Sequence, residues 1–207
     1  MNRQDLKKTC KSYYNAADRP EIVEFGIVQY ISITGKGDPA GEEFAAHIQA
    51  LYPVAYKLKF DAKAKGNDFI VPKLEALWWY DEQQYSGISI SDAPLKIPRS
   101  EWEYRLLIRL PEQITASEVN TAVEAVFAKK QQELIKAVSF FELKEGKCVQ
   151  VMHKGPFDQE PETLQILNDF TTRHDLKKNG LHHEIYLSDF RKTSPEKLKT
   201  ILREPVK

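Results

Sequence analysis

The chain of 207 residues lacks the features that mark secreted, membrane-spanning or nucleic-acid-binding proteins. Its two cysteines, Cys10 and Cys148, are too few for a disulfide framework, and neither belongs to a metal-binding Cys-x-x-Cys pair. No run approaches the ~18 apolar residues of a membrane span, and the first eight residues contain no apolar signal core. Thirty basic residues balance thirty acidic ones, which argues against nucleic-acid and anionic-membrane partners. The sequence therefore predicts a cytoplasmic protein.

The usual motifs of metal and cofactor sites are also missing from the sequence. His47 and His174 lie on predicted helices without a second ligand three or four residues further on. The segment Gly35-Lys36-Gly37-Asp38 does not have the spacing of a phosphate-binding loop, and there is no G-x-S-x-G nucleophile turn. We therefore expect no metal and no cofactor.

Hydrophobic residues make up 42% of the chain, enough to build a large core. Alternating apolar residues and turn signals predict strands near 24–34, 74–80, 102–110, 148–153, 181–187 and 200–204. Helical spacing predicts helices over 38–65, with a kink at Pro53, over 115–134 after a capping box, and over 158–173.

This order of elements predicts an α+β fold made of two strand-helix-strand-strand repeats. We expect an N-terminal arm at 1–20, a first repeat at 21–112, a bridging helix at 113–142 and a second repeat at 143–207. Each repeat contains a strand with a central glutamate, Glu75 or Glu184. Two such units packed pseudo-symmetrically would leave a cleft between them, and such clefts are favoured ligand sites.

The segment 181–187 places a carboxylate inside an apolar, aromatic strand. Because strand side chains alternate, His182, Glu184 and Tyr186 share one face. A charged group among apolar neighbours is costly unless it is paired or has a function. Glu184 is therefore either a pocket carboxylate or an ordinary strand glutamate in a salt bridge, and Tyr186 is either a hydrogen-bond donor to a ligand or a packing residue.

Aromatic residues cluster on the predicted strands near 74–80 and 102–110. One face of the strand near 74–80 presents Trp78 with Tyr80, whereas the other presents Trp79 with Glu75. A groove contacts one of these faces, and alternation alone does not decide which. The candidate ligand-binding residues are therefore Trp78, Trp79, Glu75, Trp102, Tyr104 and His182.

Several segments together resemble the GyrI-like small-molecule-binding proteins, especially their free-standing bacterial members. They are Val71-Pro72-Lys73-Leu74-Glu75-Ala76-Leu77-Trp78-Trp79, Trp102-Glu103-Tyr104, Met152-His153-Lys154-Gly155-Pro156-Phe157, His182-His183-Glu184-Ile185-Tyr186-Leu187-Ser188-Asp189 and Thr200-Ile201-Leu202-Arg203-Glu204-Pro205. The resemblance extends from about residue 7 to 206. One departure is Ala76, where the family pattern has glycine, and the extra methyl group is expected to narrow the pocket.

The resemblance implies a duplicated fold with a cleft lined by aromatic residues around a central glutamate. In multidrug-sensing relatives fused to DNA-binding domains, this glutamate holds cationic or aromatic ligands. Some free-standing members hydrolyse cyclopropane-bearing, DNA-alkylating natural products. Gyrase inhibition and toxin binding give the family its name.

Three functions remain open at this point. As a hydrolase, the protein would use Glu184 to orient or deprotonate water and Tyr186 to hydrogen-bond the developing phenolate oxygen. As a non-catalytic module, it would sequester a hydrophobic aromatic compound, neutral or cationic, in the same cleft. As an interaction module, it would bind gyrase or a toxin, and that function ranks last because the net charge favours neither a basic nor an acidic partner.

Overall fold

Six antiparallel strands form the centre of the molecule, as seen in a computed structural model that describes residues 3–207. The first two residues of the predicted arm lie outside the described residues. The strands are β1 (Glu21–Lys36), β2 (Leu74–Trp79), β3 (Glu103–Arg109), β4 (Ser139–Lys154), β5 (His182–Tyr186) and β6 (Lys199–Pro205). The helices are α1 (Leu6–Thr9), α2 (Glu42–Ala64), α3 (Ala93–Lys96), α4 (Ala116–Lys130) and α5 (Glu160–Arg173).

The strands close into a barrel in the order β1-β3-β2-β5-β6-β4. The ring is closed by the long pairing of β1 with β4, which runs from Glu21 opposite Gln150 to Ser32 opposite Ser139. The mixed helix and strand content confirms the predicted α+β class. The closed ring itself was not part of the prediction.

The two faces of the barrel wall are covered differently. The outer face packs against α2, α4 and α5, with Leu106 and Leu202 among its buried residues. The inner face carries Leu77 and Ile185, and N-terminal residues including Tyr13 pack against it. Residues near the start of the chain thus contribute directly to the core.

Helix α2 begins later than the sequence predicts. The Asp38 carboxylate accepts a hydrogen bond from the Ala40 amide at 2.8 Å, and the Asp38 carbonyl accepts one from the Gly41 amide at 2.8 Å. Asp38 therefore caps a separate turn, and the helix starts at Glu42 with Gly41 as its N-cap. The helix continues through Pro53, as expected.

The capping box predicted for α4 is present. The Thr115 hydroxyl accepts a hydrogen bond from the Glu118 amide at 3.3 Å, and the Glu118 carboxylate accepts one from the Thr115 amide at 2.9 Å. The helix ends at Lys130. Strand β4 begins at Ser139, inside the segment predicted as the bridging helix, and is much longer than the predicted 148–153.

Candidate functional site

A pocket of about 650 Å³ lies on the outer face of the barrel. It is bounded by the start of α2, the start of α5, strand β5 and the connection between β2 and β3. Aromatic side chains from both halves of the chain contribute to its lining, including Phe44, Trp78, Trp102, Phe157, Tyr186 and Phe190. Its volume is within the range typical of small-molecule sites.

Strand β5 presents His182, Glu184 and Tyr186 to this pocket, as the alternation of side chains predicts. The Tyr186 hydroxyl donates a hydrogen bond to Oε2 of Glu184 at 2.6 Å. The indole Nε1–H of Trp78 in turn donates to the Tyr186 hydroxyl oxygen at 3.2 Å. This chain of donors ends on the Glu184 carboxylate and orients it.

His182 lies between two pocket carboxylates. Its Nδ1 contacts Glu204, and its Nε2 lies 3.4 Å from Oε1 of Glu184. Burial disfavours the imidazolium, but the charges of Glu204 and Glu184 outweigh this effect and raise the pKa of His182 to about 10. His182 is therefore a cation at neutral pH, with Nδ1 hydrogen-bonded to Glu204 and Nε2 close to Glu184.

The walls of the pocket are aromatic rings that form a slot. Phe44 stacks on Trp78, with ring centroids 5.7 Å apart and planes inclined by 13°. Trp102 meets Trp78 edge-on at 6.2 Å, and Phe157 meets Tyr186 edge-on at 5.9 Å. These rings contact one another and form an aromatic wall of the slot, against which a flat, apolar ligand can stack.

Six of the eight site residues predicted from the sequence line this pocket: Trp78, Trp79, Trp102, His182, Glu184 and Tyr186. Tyr104 lies behind the wall, where it packs against Phe44 and Trp78. A Cβ atom on Gly35, opposite Tyr104 in the sheet, would lie only 2.5 Å from the Tyr104 hydroxyl oxygen. Gly35 therefore gives Tyr104 the space to support the slot. Ala76 is fully buried and does not line the pocket, contrary to the expected narrowing.

Glu75 lies on the inner face, away from the pocket, in what we call the inner network. Its carboxylate accepts hydrogen bonds from the Tyr13 hydroxyl at 2.5 Å and contacts His183 Nε2 at 3.1 Å. Nδ1 of His183 lies 2.9 Å from Glu145, which also accepts a hydrogen bond from Arg203 at 2.9 Å. Burial opposes ionisation of Glu145, but His183 and Arg203 outweigh it and lower the pKa to about 2.

Glu160, in the first turn of α5, is a pocket residue that the sequence did not indicate. It is 8% exposed, and neither of its carboxyl oxygens has a hydrogen-bond partner among residues 3–207; Oε1 is fully buried. Burial, reinforced by the charge of Glu184 and only partly offset by His182, raises the pKa of Glu160 well above its usual range. A helix N-terminus favours a carboxylate by about 0.3–1 kcal/mol, less than the several kcal/mol cost of an unpaired buried charge. Burial without a partner therefore favours the neutral, protonated form of Glu160.

The described part of the chain has neither a metal-binding cluster nor a membrane-spanning helix. Between residues 3 and 207, no three His, Cys, Asp or Glu side chains are grouped so as to hold a metal ion. In the same range, no helix is both long enough and apolar enough to cross a membrane.

Comparisons with known proteins agree with a small-molecule site. The family model of the GyrI-like small molecule binding domain matches residues 109–207. An uncharacterized conserved protein from Listeria innocua is 34% identical with a TM-score of 0.87, and the match covers 99% of this chain and 100% of that one. A hydrolase from Listeria innocua is also 34% identical, with a TM-score of 0.84 and the same coverage. No curated protein matches the chain.

A more distant structure shares the fold alone. The C-terminal domain of EcmrR is 13% identical, with a TM-score of 0.55, and the match covers 91% of this chain and 97% of that domain. At this identity the likeness extends to the arrangement of helices and strands and not to the residues of the pocket.

Proposed function

Because the chain belongs to the GyrI-like family of small-molecule-binding domains, we propose that its pocket takes up a flat, hydrophobic aromatic xenobiotic and protects the cell from it. The observation that carries this proposal is the slot walled by Phe44, Trp78 and Trp102, with the Glu184 carboxylate at its side. The aromatic walls supply stacking area, and the carboxylate supplies a polar group for the chemistry.

We further propose that the slot lies between two copies of one strand-helix-strand-strand unit. Two observations support this. The elements follow the order β1-α2-β2-β3 and, after α4, β4-α5-β5-β6. The pairing is also equivalent in the two halves, since β1 pairs with β3 and β4 pairs with β6, while β2 and β5 pair with each other. The pocket draws residues from both halves, as a cleft between copies would.

The proposed reaction is hydrolysis of a cyclopropane ring conjugated to a dienone, as found in DNA-alkylating natural products. Water attacks the ring methylene, a carbon–carbon bond breaks, and its electron pair moves into the dienone to give a phenolate. Glu184 accepts the proton of the attacking water. One relative bears the name hydrolase, which favours turnover over binding alone.

Tyr186 has a different role from the one suggested by the sequence. Its hydroxyl proton is directed at Glu184 at 2.6 Å, so we assign it to orient that carboxylate rather than to bind the phenolate oxygen. His182, a cation beside Glu184, stabilises the same carboxylate. The tryptophans hold the flat ring system and exclude water from it.

The test is a mass-spectrometric time course with a large molar excess of a duocarmycin-like cyclopropane compound. We expect the protein to form many equivalents of ring-opened water adduct, and Glu184→Gln to be roughly 10²–10⁴-fold slower. The matched control is Glu142→Gln, on an exposed strand position. Turnover by folded Glu184→Gln within about threefold of the wild type would exclude this role for Glu184.

The same experiment separates the other two functions. Intact compound bound saturably at one equivalent per chain would indicate sequestration without catalysis. If the compound neither reacts nor binds, the gyrase or toxin partner becomes the function to test, by pull-down with each purified protein.

A further inference from the structure

The carboxyl groups of the pocket differ in whether they have hydrogen-bond partners. Glu204 contacts His182, and Glu184 contacts both His182 and Tyr186. Glu160 lines the same pocket, yet within residues 3–207 neither of its carboxyl oxygens has a hydrogen-bond partner. Folding has therefore placed one carboxyl group here without a partner, although burying a polar group in that state is costly.

A count of the protons in the pocket shows what Glu160 can supply. The Tyr186 proton is directed at Glu184, and the Trp78 indole proton is directed at Tyr186. Nδ1 of His182 is hydrogen-bonded to Glu204, and Nε2 lies 3.4 Å from Oε1 of Glu184. The Glu160 carboxyl group has no such partner among the described residues, and it is a far stronger acid than the Tyr80, Tyr85 and Trp102 donors that also line the pocket, so its proton is the one best suited for transfer to a ligand.

The cationic side chains at the solvent side of the pocket do not replace the Glu160 proton. Lys178 is paired with Glu82, and its side chain is 46% exposed. Arg99 is 60% exposed and lies 3.9 Å from Asp38. Both are lining residues at the solvent side of the pocket, where water competes for their protons.

We propose that Glu160 is a second catalytic residue, the proton donor that binds and protonates the oxygen of a neutral carbonyl compound whose carbonyl is conjugated to the electrophilic carbon. This inference rests on the proposed function, because it identifies the donor of the second proton in the same hydrolysis, the one that the carbonyl oxygen receives. It also narrows the substrate class from aromatic compounds in general to those that carry a hydrogen-bond-accepting oxygen.

The proton balance of the reaction then closes within the pocket. The water oxygen forms a bond to the ring methylene while the carbon–carbon bond of the cyclopropane breaks, and the electron pair moves to the carbonyl oxygen. Glu160 gives its proton to that oxygen, which becomes a phenol, and Glu184 takes the proton lost by the water. Transfer of this proton from Glu184 to Glu160 restores the starting state, with one water molecule added to the substrate.

The charges that face Glu160 indicate that the ligand is a neutral compound. Glu184 and His182 on β5 and Glu204 on β6 form a group in which one imidazolium lies between two carboxylates, so the group keeps one net negative charge. This charge disfavours an anionic ligand, and a cation without an acceptor oxygen would leave the Glu160 proton unused. A carbonyl oxygen accepts that proton without introducing a charge.

The catalytic test compares Glu160→Gln with Glu162→Gln, an exposed glutamate on the same helix turn. With a spirocyclopropyl dienone as substrate, we expect Glu160→Gln to lower kcat by roughly 10²–10⁴-fold. We expect KM within about threefold of the wild type, because glutamine keeps the size of the side chain and a donor. Glu162→Gln should match the wild type.

The pH profile separates proton donation from a structural role. Glu160 acts in its protonated form, so kcat of the wild type should fall as pH rises through the raised pKa of Glu160, and this alkaline decline should be absent in Glu160→Gln. A folded Glu160→Gln protein with kcat within about threefold of the wild type, or with the same alkaline decline, would overturn the proposal.

A measurement without turnover keeps this inference separate from the proposed hydrolysis. Infrared difference spectra at pH 7 between the wild type and Glu160→Gln should show the C=O band of a protonated carboxylic acid. The band should shift when the wild type binds the dienone, whether or not the ring opens. A band that shifts without turnover would retain Glu160 as the donor while excluding hydrolysis. An absent or unshifted band would overturn the proposal.

Discussion

His182 and His183 are neighbours in the sequence, but β5 directs them to opposite faces of the barrel wall. Each ring has both nitrogens close to glutamates, His182 with Glu184 and Glu204, and His183 with Glu75 and Glu145. In both cases the carboxylates outweigh burial and raise the pKa of the histidine. The two sites have the same chemical composition and differ in what lies beside them.

On the inner face, the carboxylates have further donors. Glu145 also accepts a hydrogen bond from Arg203, and Glu75 accepts one from Tyr13. On the outer face, the glutamates of His182 border the pocket, and Glu160 lies there without a partner among residues 3–207. A fully paired network holds a structure together, whereas an unpaired proton beside a cavity is available for chemistry.

The largest effect should come from breaking the inner network. Replacing Glu145 with glutamine leaves the Arg203 guanidinium buried without its carboxylate, so we expect Glu145→Gln to lose about 3–5 kcal/mol of unfolding free energy. Urea unfolding of this variant beside Glu142→Gln, on the exposed part of β4, measures the loss. A loss below about 1 kcal/mol would show that the inner network does not stabilise the fold.

A change in unfolding free energy that is smaller per pH unit should distinguish His182 from the inner network. The pKa of His182 rises from 6.5 to about 10 on folding, so its stabilising contribution is fully present below pH 6.5 and is lost as pH rises towards 10. The unfolding free energy should therefore decline by up to about 1.4 kcal/mol per pH unit in this window. Urea unfolding at several pH values should show a shallower decline for His182→Gln.

The control for this measurement is His174→Gln, at an exposed position on the surface. It should keep the slope of the wild type. An equal slope in wild type and His182→Gln would mean that the imidazolium of His182 contributes nothing to stability.

The smallest effect should come from Tyr186→Phe, which keeps the ring and removes the hydroxyl that orients Glu184. The lost hydrogen bond to a carboxylate should cost roughly 1.5 kcal/mol of unfolding free energy. Turnover should fall less than in Glu160→Gln, because Tyr186 only positions the base. Urea unfolding and turnover beside Tyr56→Phe, at an exposed helix position, measure both effects. A larger loss of turnover than in Glu160→Gln would return to Tyr186 the hydrogen bond to the developing phenolate oxygen.

The sequence predicted which residues of β5 line the pocket. It did not distinguish the pocket from the inner network. Alternation along β5 correctly grouped His182, Glu184 and Tyr186, but it treated Glu75 as equivalent to Glu184. The register of β2 with β5 decides between them, because residues directly opposite in a sheet share a face. Ala76 lies opposite Glu184, so Glu75 lies opposite Ile185 and turns to the inner face. No local pattern contains this register.

The closure of the barrel and the position of Glu160 in the pocket could not be predicted from the sequence, for a related reason. The pairing of β1 with β4 joins segments that are far apart in the chain, and neither segment carries a signal for the other. A glutamate in the first turn of a helix is ordinary, because it complements the helix dipole. The position of Glu160 becomes informative only when α5 and β5 are seen around the same cavity.

The connection between β2 and β3 has a consequence for how the selectivity of the pocket can change. It supplies much of the wall, including Tyr80, Tyr85, Ile88, Ile90, Ala93 and Trp102, whereas the connection between β5 and β6 supplies Phe190. The barrel strands are hydrogen-bonded to one another in a closed ring. Grafting or randomising residues 82–95 can therefore give new ligand preferences while the acid and the base stay on α5 and β5. Ordinary loop mutations offer the same route, because surface segments tolerate sequence change well.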